Sequence, residues 1–289
     1  MMGESKFDVL ALLPPEVRPR CLLVRVPVRF NELQEKLTAH GIDYPFIAKP
    51  DVGERGWRVQ RICNPAELKH YCEESESVPV DFIIQEFVSL PLEFGIFYER
   101  LPSRAKGRVT SVTAKEFLSV VGDGQRTLRD LIADQPRARL HADNLSSRFR
   151  NELSHILPAG ERKELESIGN HCRGTTFLDA NHLITERLHE SFDRISKQVP
   201  GFFFGRYDLR CASLDELQNG RVQVLELNGC GAEPAHIYHP GASLIAALRT
   251  LIRHWQVLFV ISLENHQRGV PYLSLRDAWR YYRKARALQ

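Results

Sequence analysis

Two neighbouring stretches decide the fold: Phe202-Phe-Phe-Gly-Arg-Tyr-Asp-Leu209 and Val222-Gln-Val-Leu-Glu-Leu-Asn-Gly-Cys-Gly231. Residues 222–227 form a short apolar run with β-branched members, and Gly220 and Gly229 bound it. This pattern is typical of a buried strand. The first stretch has the same character, and a turn over 215–220 separates the two. The sequence therefore predicts an antiparallel pair of strands.

The polar residues within these strands share one face. Glu226 and Asn228 lie two apart, as do Arg206 and Asp208, and side chains two apart leave a strand on the same side. Two carboxylates and an amide oxygen are ligands that Mg²⁺ prefers, and a neighbouring arginine could hold a phosphate or a developing negative charge. A buried ion pair, with Asn228 as a turn residue, is the alternative interpretation.

A second cluster suits nucleotide chemistry. The strand at 44–50 delivers Lys49 at its end, and the glycine-containing loop Asp51-Val-Gly-Glu-Arg-Gly56 follows. A lysine supplies a point charge for phosphate, and glycines let backbone N–H groups approach its oxygens. The pattern is not a Walker A motif, because it contains no Gly-Lys-Ser/Thr. A plain hairpin with an exposed lysine is the alternative.

Composition sets broad limits on the protein class. The chain has 289 residues, 43% hydrophobic and 26% charged, with a net charge of +3. These values are ordinary for a globular protein and too weakly basic to indicate nucleic-acid binding. Its six cysteines show neither a C-x-x-C pair nor zinc spacing, and residues 1–7 are too polar to indicate a signal peptide. We therefore expect reduced thiols and a cytoplasmic location.

Taken in order, these motifs resemble the ATP-grasp superfamily, which includes D-alanine–D-alanine ligase, glutathione synthetase, cyanophycin synthetase and the ribosomal-protein glutamate ligases. Three features carry the resemblance: Lys49-Pro50 with its glycine loop, Val121-Gly-Asp-Gly124 before a Thr127-capped helix, and the acidic strand pair. It spans about residues 5–245 and implies an α+β fold, with two antiparallel β-sheet subdomains flanked by helices and ATP between them. The Asn-x-x-x-Gly-Gly stretch of the glutamate ligases is only partly kept, because Thr175 follows Gly174.

The resemblance also implies a domain plan. Residues 1–245 would form the ATP-grasp domain, with a first lobe at about 5–90 that carries the glycine-rich flap. The second lobe would cover 91–245 and hold a helical insertion at about 125–160, and residues 246–289 would form a C-terminal helical extension. Only five residues precede Lys6, where the family has an N-terminal domain. We therefore expect a truncated form.

Site roles follow from the resemblance alone. It places Asp208, Glu226 and Asn228 on two Mg²⁺ ions, with Mn²⁺ as a substitute, and Arg206 and Lys115 on the γ-phosphate. It places Lys6 and Lys49 on the α/β-phosphates. The adenine hinge would consist of Gln85, Glu86, Phe87 and Val88, with Glu93 on the ribose. Substrate contacts would come from Asn170, Arg173, Glu233 and His236. Structural roles stay open for Lys115, Glu86, Glu233 and His236.

The implied activity is that of an ATP- and Mg²⁺-dependent ligase, which activates a small-molecule or peptide carboxylate as an acyl phosphate and joins it to an amine. A non-catalytic ATP-binding or regulatory module is the alternative. The apolar run 244–263 is interrupted by Arg249, Arg253 and His254, so we expect a packed helix rather than a membrane span. The basic, aromatic segment 273–289 could contact an anionic membrane or a partner, but packing on the domain is the favoured interpretation.

Overall fold

The computed structural model describes residues 4–53, 56–77, 80–166, 169 and 174–286, and these residues confirm the α+β class. The strands are β1 Cys21–Val24, β2 Phe46–Pro50, β3 Gln60–Ile62, β4 Phe82–Glu86, β5 Leu92–Glu99, β6 Arg108–Glu116, β7 Ser119–Val121, β8 Arg162–Glu164, β9 Thr176–Asp179, β10 Phe204–Cys211 and β11 Gln223–Asn228. The helices are α1 Lys6–Ala11, α2 Phe30–Ala39, α3 Pro65–Ser77, α4 Leu128–Asp134, α5 Pro136–Arg139, α6 Ala142–Arg148, α7 Glu186–Lys197, α8 Leu214–Asn219, α9 Leu244–Gln267 and α10 Leu275–Arg286.

The strands form two main antiparallel sheets. The first sheet has the order β1-β4-β2-β3, and the second has the order β11-β10-β5-β6-β9. The predicted pairing of the two acidic strands is confirmed, because β10 and β11 run antiparallel side by side. All strands of the first sheet precede residue 90 and all strands of the second follow it. The finer domain plan stays a prediction.

Each sheet buries an apolar face beneath helices. The first sheet packs Phe46 and Phe82 against Leu33 of α2 and Leu68 of α3. The second sheet packs the strand residues Ile96, Tyr98, Val112 and Tyr207 against Leu188, Phe192 and Ile195 of α7. At roughly 1.5–3 kcal/mol for each fully buried large apolar side chain, these two cores supply the main driving force for folding. The opposite face of the second sheet carries polar side chains and a smaller apolar cluster, in which Phe97 and Phe204 pack against Ile261 of α9.

The insertion between β7 and β8 has a small core of its own. Leu128, Leu131 and Ile132 of α4 pack with Leu145 of α6, next to the β7–β8 pair. The capping role predicted for Thr127 is confirmed, because its side chain and that of Asp130 exchange hydrogen bonds with each other's backbone. Three short helices, α4 to α6, thus lie between β7 and β8.

The connection between the acidic strands differs from the sequence prediction of a turn. Residues 214–219 form the short helix α8, which Ser213 caps and Gly220 ends in a left-handed conformation. Ser213 accepts a hydrogen bond from Glu216, as N-cap residues do, and a glycine just past a helix commonly takes that conformation. The helix packs on α7 and holds the two strands together.

The two C-terminal helices are more exposed than the sequence predicts. The predicted packing of α9 is confirmed for one side only: Ile261 is buried with Phe97 and Phe204 of the second sheet, and His254 is the one other buried residue of the helix. Its length and apolar composition would suffice to cross a membrane, a property no other described helix shares. Helix α10 leaves Trp279 62% exposed and Leu275 91% exposed, so its predicted packing on the domain is wrong.

One buried carboxylate fixes the N-terminal helix to the end of β2. Asp51 accepts hydrogen bonds from the Ser5 hydroxyl and the Phe7 N–H, both at 2.9 Å. We expect Asp51→Ala to lower the free energy of unfolding by about 2 kcal/mol, because two donors lose their partner. Asp51→Asn, which keeps an acceptor oxygen, should cost less. Urea unfolding measures both, with the exposed Asp43→Ala as the matched control; equal losses in all three variants would contradict this assignment.

Candidate active site

The site is built on the polar face of the second sheet. The register of β10 and β11 places Asp208 opposite Glu226 and Arg206 opposite Asn228. The four side chains predicted to share a face therefore meet on adjacent strands. On the other side of β10, Asp208 lies opposite Gly95. A Cβ at position 95 would approach Arg206 Cδ and Asp208 Oδ1 to 3.4 Å, so the glycine leaves room for this pair.

A β-bulge in β11 ties the two sheets together. Asp208 pairs with Glu226 and the next residue, Leu209, pairs with Val224, so Leu225 is the extra residue. Its carbonyl oxygen accepts hydrogen bonds from Lys49 Nζ and Gln85 Nε2, both at 3.2 Å. These two donors come from β2 and β4 of the first sheet. The bulge thus brings the predicted phosphate lysine beside the acidic strands.

Asp208 is the centre of a buried charge cluster. Its carboxylate lies 3.0 Å from Arg206 Nη2 and 3.2 Å from Lys115 Nζ, and it accepts a 3.0 Å hydrogen bond from Asn228 Nδ2. Burial would raise the pKa of Asp208, but the positive charges of Arg206 and Lys115 outweigh it and lower this pKa to about 2. Asp208 is therefore ionised throughout the physiological pH range.

Lys115 belongs to a second ion pair with Glu93. Its Nζ lies 3.0 Å from Glu93 Oε1, and Arg210 Nε lies 2.8 Å from Glu93 Oε2. Burial opposes the charged form of Lys115, but the carboxylates of Asp208 and Glu93 raise its pKa above the ordinary value. The alternative of a solvated strand residue is wrong for Lys115, because its side chain is only 7% exposed. The ribose role of Glu93 stays a prediction.

The two predicted phosphate lysines have different surroundings. Burial lowers the pKa of Lys49, although the charges of Glu226, Cys21 and Asp208 act in the opposite direction. Lys6 lies at the first position of α1, and its Nζ donates to the carbonyl oxygens of Pro50, Asp51 and Gly53 at 2.7–3.3 Å. Lys6 therefore contacts the residues that follow Lys49 in the chain, although 43 positions separate the two lysines.

The predicted adenine hinge consists of the last two residues of β4 and the two residues after it, and β4 lies between β1 and β2. The Glu86 N–H donates to the Arg20 carbonyl at 2.9 Å, and the Glu86 carboxylate forms a salt bridge to Arg20 Nη2 at 2.8 Å. The Val88 carbonyl accepts from Arg210 at 2.8 Å, while the Phe87 ring lies under Arg61 at 4.2 Å. The side-chain amide of Gln85 donates to the Leu225 carbonyl oxygen. The hinge residues therefore join the first sheet to Arg210 of the second.

The loop after β11 closes over Arg206. The Glu233 carbonyl accepts from Arg206 Nη1 at 3.0 Å, and the Tyr238 hydroxyl donates to the Glu233 carboxylate. His236 Nδ1 lies 2.6 Å from the Ser111 hydroxyl on β6, and burial lowers the pKa of His236. A neutral imidazole is therefore the main form of His236 at neutral pH. The predicted substrate residues Asn170 and Arg173 lie outside the described residues.

The donor set fits a hard divalent cation. Asp208, Glu226 and Asn228 offer carboxylate and amide oxygens, the chemistry that suits Mg²⁺. Glu226 is half-buried and makes no side-chain hydrogen bond within the described part of the chain. No group of three or more His, Cys, Asp or Glu residues in a metal-binding arrangement occurs among the described residues. A metal here would therefore depend on the amide oxygen and on ligands from outside the protein.

Three features of the site were missed by sequence reasoning. Arg210 follows Arg206 and Asp208 at the same two-residue spacing, which could have placed it on this face. The Leu225 carbonyl could not be found, because a bulge leaves no residue signature. Thr113, opposite Gly95, is fully buried and its hydroxyl has no hydrogen-bond partner among the described residues, so it marks the sheet centre beside Asp208 as a place for a polar ligand.

Comparison with known proteins was made by sequence and by structure. No model of a known protein family matches the chain, and no curated protein matches it in sequence. Among solved structures, the bifunctional glutathione synthetase of Pasteurella multocida is similar, with 15% identity, 90% of this chain and 36% of that chain covered, and a TM-score of 0.44. The D-alanine–D-alanine ligase of Bacillus anthracis shows 14% identity, 91% and 67% coverage, and a TM-score of 0.47.

A third match is the D-cycloserine synthetase DcsG, with 12% identity, 89% and 71% coverage, and a TM-score of 0.48. These proteins are ATP-grasp carboxylate–amine ligases. That is the superfamily the motifs resemble. The chain spans about a third of the glutathione synthetase and two-thirds of the Bacillus anthracis ligase. At these identities and TM-scores the matches carry no argument on what this chain does, so its function is argued below from the site.

The depressed pKa of Asp208 predicts an acid-dependent stability. This pKa falls from 3.8 to about 2 on folding, so the stabilising charge interactions are present above about pH 4 and are lost as the pH falls towards 2. We expect Asp208→Asn to lower the free energy of unfolding by about 3 kcal/mol at pH 7, because it leaves two buried cations unbalanced. Urea unfolding should show the gap to wild type narrowing below pH 4. A gap that stays constant down to pH 3 would contradict this role.

Proposed function

We propose that this chain is an ATP- and Mg²⁺-dependent ligase that activates a carboxylate as an acyl phosphate and joins it to an amine. The observation that carries the proposal is the convergence of Lys49, Lys115 and Arg206 on the acidic strand pair that holds Asp208 and Glu226. Several buried charged side chains, among them Lys49, Lys115 and Asp208, lie together at this site. Placing so many charges away from water is costly unless a ligand or a partner uses them.

The charged side chains of the site suit a nucleoside triphosphate. Lys49, Lys115, Arg206 and Arg210 face Glu93, Asp208 and Glu226, which leaves one positive charge in excess before Lys6 is counted. Bound Mg²⁺ would neutralise phosphate charge and polarise the γ-phosphoryl group. In that state Asp208 would turn from its cations towards the metal and release Lys115 and Arg206 for the γ-phosphate. Lys49 and Lys6 would hold the α/β-phosphates beneath the glycine loop.

The proposed chemistry has two balanced steps. A carboxylate oxygen of the substrate attacks the γ-phosphorus, the bond to the β-phosphate oxygen breaks, and ADP leaves. An amine then attacks the acyl carbon, inorganic phosphate leaves and the amine loses a proton. Lys115 and Arg206 would stabilise the negative charge that develops in the first step. The chain's contribution is to position the reactants and neutralise charge, without a covalent protein intermediate.

The acceptor end of the site would lie under the loop that carries Glu233 and His236. This loop touches Arg206 through the Glu233 carbonyl and reaches Ser111 through His236, so it connects the phosphate region to the β6 side of the sheet. A small-molecule or peptide carboxylate and an amine are the partners that this chemistry requires. The described cysteines form no disulfide with one another, which suits the cytoplasmic location that we include in the proposal.

A non-catalytic ATP-binding module is the second candidate. One observation favours it: Asp208 engages both Lys115 and Arg206, so the cations intended for phosphate already have an internal partner. In a sensor, nucleotide would exchange these partners and move the loop at Glu233 without transferring a phosphoryl group. Turnover distinguishes the two candidates.

The first experiment measures ADP release with Mg²⁺-ATP and pooled amino acids and small carboxylates, with hydroxylamine present to trap an acyl phosphate. We expect substrate-dependent ADP and hydroxamate, both reduced on the order of 100-fold in Glu226→Gln, which removes a charge but keeps the side-chain size. Glu216→Gln, on the surface helix α8, is the matched control and should retain activity. ATP binding without ADP or hydroxamate from any pool would favour the sensor.

A second experiment tests the phosphate lysine. Lys49→Met should weaken ATP binding by about 10- to 100-fold, because a charge-assisted hydrogen bond to phosphate is lost. The exposed Lys36→Met on α2 is the matched control and should bind ATP like wild type. Isothermal titration calorimetry with Mg²⁺-ATP gives both dissociation constants. An unchanged affinity in Lys49→Met would remove this lysine from the site.

A further inference from the structure

Helix α9 presents a continuous apolar face away from the protein. Its exposed large side chains recur at helical spacing along one side, and we call this side the α9 face: Ile245, Leu248, Ile252, Trp255, Phe259 and Leu263. Trp255 is 67% exposed and Phe259 is 65% exposed. At 1.5 Å per residue the face is roughly 30 Å long. Apolar patches of this kind mark interaction surfaces.

The opposite side of α9 is fastened to the second sheet. His254 Nε2 lies 3.1 Å from the Thr110 hydroxyl, and Arg253 Nη2 lies 2.8 Å from Glu99 Oε1. Further along, Glu264 accepts hydrogen bonds from the Ser103 N–H and hydroxyl at 2.7 and 2.9 Å. A helix held along a domain over this length cannot cross a bilayer without releasing these contacts. The geometry suits a helix that lies in the plane of a surface.

A basic groove lies against α9, where Val257 forms part of its lining. It has a volume of about 350 Å³ and runs between the β5–β6 connection and Val257 of α9. Its charged lining residues are Glu99, Arg100, Arg104, Lys106 and Arg108, an excess of three positive charges. Glu99 is already neutralised by Arg108 and Arg253, both at 2.8 Å. Arg104 and Lys106 are exposed, so the groove has charge available for anionic groups.

Helix α10 repeats the same combination. Leu275, Trp279 and Tyr282 lie on one side and are exposed, and the two aromatic rings stack with centroids 5.5 Å apart. Arg276, Arg280 and Arg283 are exposed around them. Tryptophan and tyrosine prefer the boundary between water and hydrocarbon, and arginine attracts lipid phosphate. Two consecutive helices thus carry exposed apolar residues bordered by cations.

We propose that the α9 face, α10 and the basic groove together form a docking surface for an anionic lipid bilayer, with both helices lying in the interface. Charge favours this occupant over a second copy of the chain. In a two-fold contact, the same positively charged surface of both copies would meet. An anionic membrane instead supplies the opposite charge together with an apolar layer. The proposal does not depend on the ligase activity.

The first test is flotation of the full chain with vesicles of phosphatidylcholine alone and of phosphatidylcholine mixed with phosphatidylglycerol. We expect binding to the mixed vesicles, much weaker binding to the neutral ones, and a steep decrease with salt. Trp255→Ser and Phe259→Ser should each reduce partitioning at least about tenfold. Arg104→Gln should reduce it about fivefold. The matched controls are Leu140→Ser, an 81% exposed site on the insertion, and the exposed Arg29→Gln.

The three tryptophans provide a second readout. Variants that keep only Trp255, only Trp279 or only Trp57 can be mixed with vesicles that contain brominated lipid. Quenching of Trp255 and Trp279, but not of Trp57 in the β2–β3 hairpin, would support the docked orientation. Equal quenching of all three, or no binding to anionic vesicles, would overturn the proposal. So would a dimer in sedimentation velocity that Trp255→Ser dissociates, since the second copy would then be the occupant.

Discussion

The carbonyl oxygen of Leu225 is where the two sheets meet, and the candidate site depends on that contact. It accepts from Lys49 on β2 and Gln85 on β4, so both central strands of the first sheet are joined to one peptide of the second. A backbone acceptor has a fixed position, whereas a side-chain partner could rotate away. The distance between the phosphate lysine and the acidic strands is therefore set by main-chain geometry.

Charge balance is the second constraint. Asp208 and Glu93 are each held between two cations, and Lys115 belongs to both groups. Removing a single member would leave an opposite charge buried without compensation. Such a cluster is stable only as a set, yet it contains the groups that a metal and a triphosphate would rearrange. The same residues can thus stabilise the empty fold and respond to a ligand.

Much of this arrangement could be predicted from sequence because it follows from periodicity. The two-residue spacing of Arg206, Asp208, Glu226 and Asn228 placed them on one face, and the strand pairing confirms that they are neighbours. The cap at Thr127 was predicted from residue type and is confirmed. Sequence reasoning failed where tertiary contacts decide. The apolar composition of α9 does not reveal how much of the helix is buried, because burial depends on which other elements pack against it.

The bulge at Leu225 also changes which way the strand faces. In a regular strand Val224 and Glu226 would point to the same side, but one extra residue between them reverses the alternation. Val224 consequently lies fully buried in the apolar core, while Glu226 faces the polar site. The six-residue strand β11 therefore supplies Val224 to the apolar core and Glu226 to the polar site, although their two-residue spacing alone would place both on one side. Chain length at this point is as informative as side-chain identity: related sequences that gain or lose a residue here would have their acidic groups turned into the core.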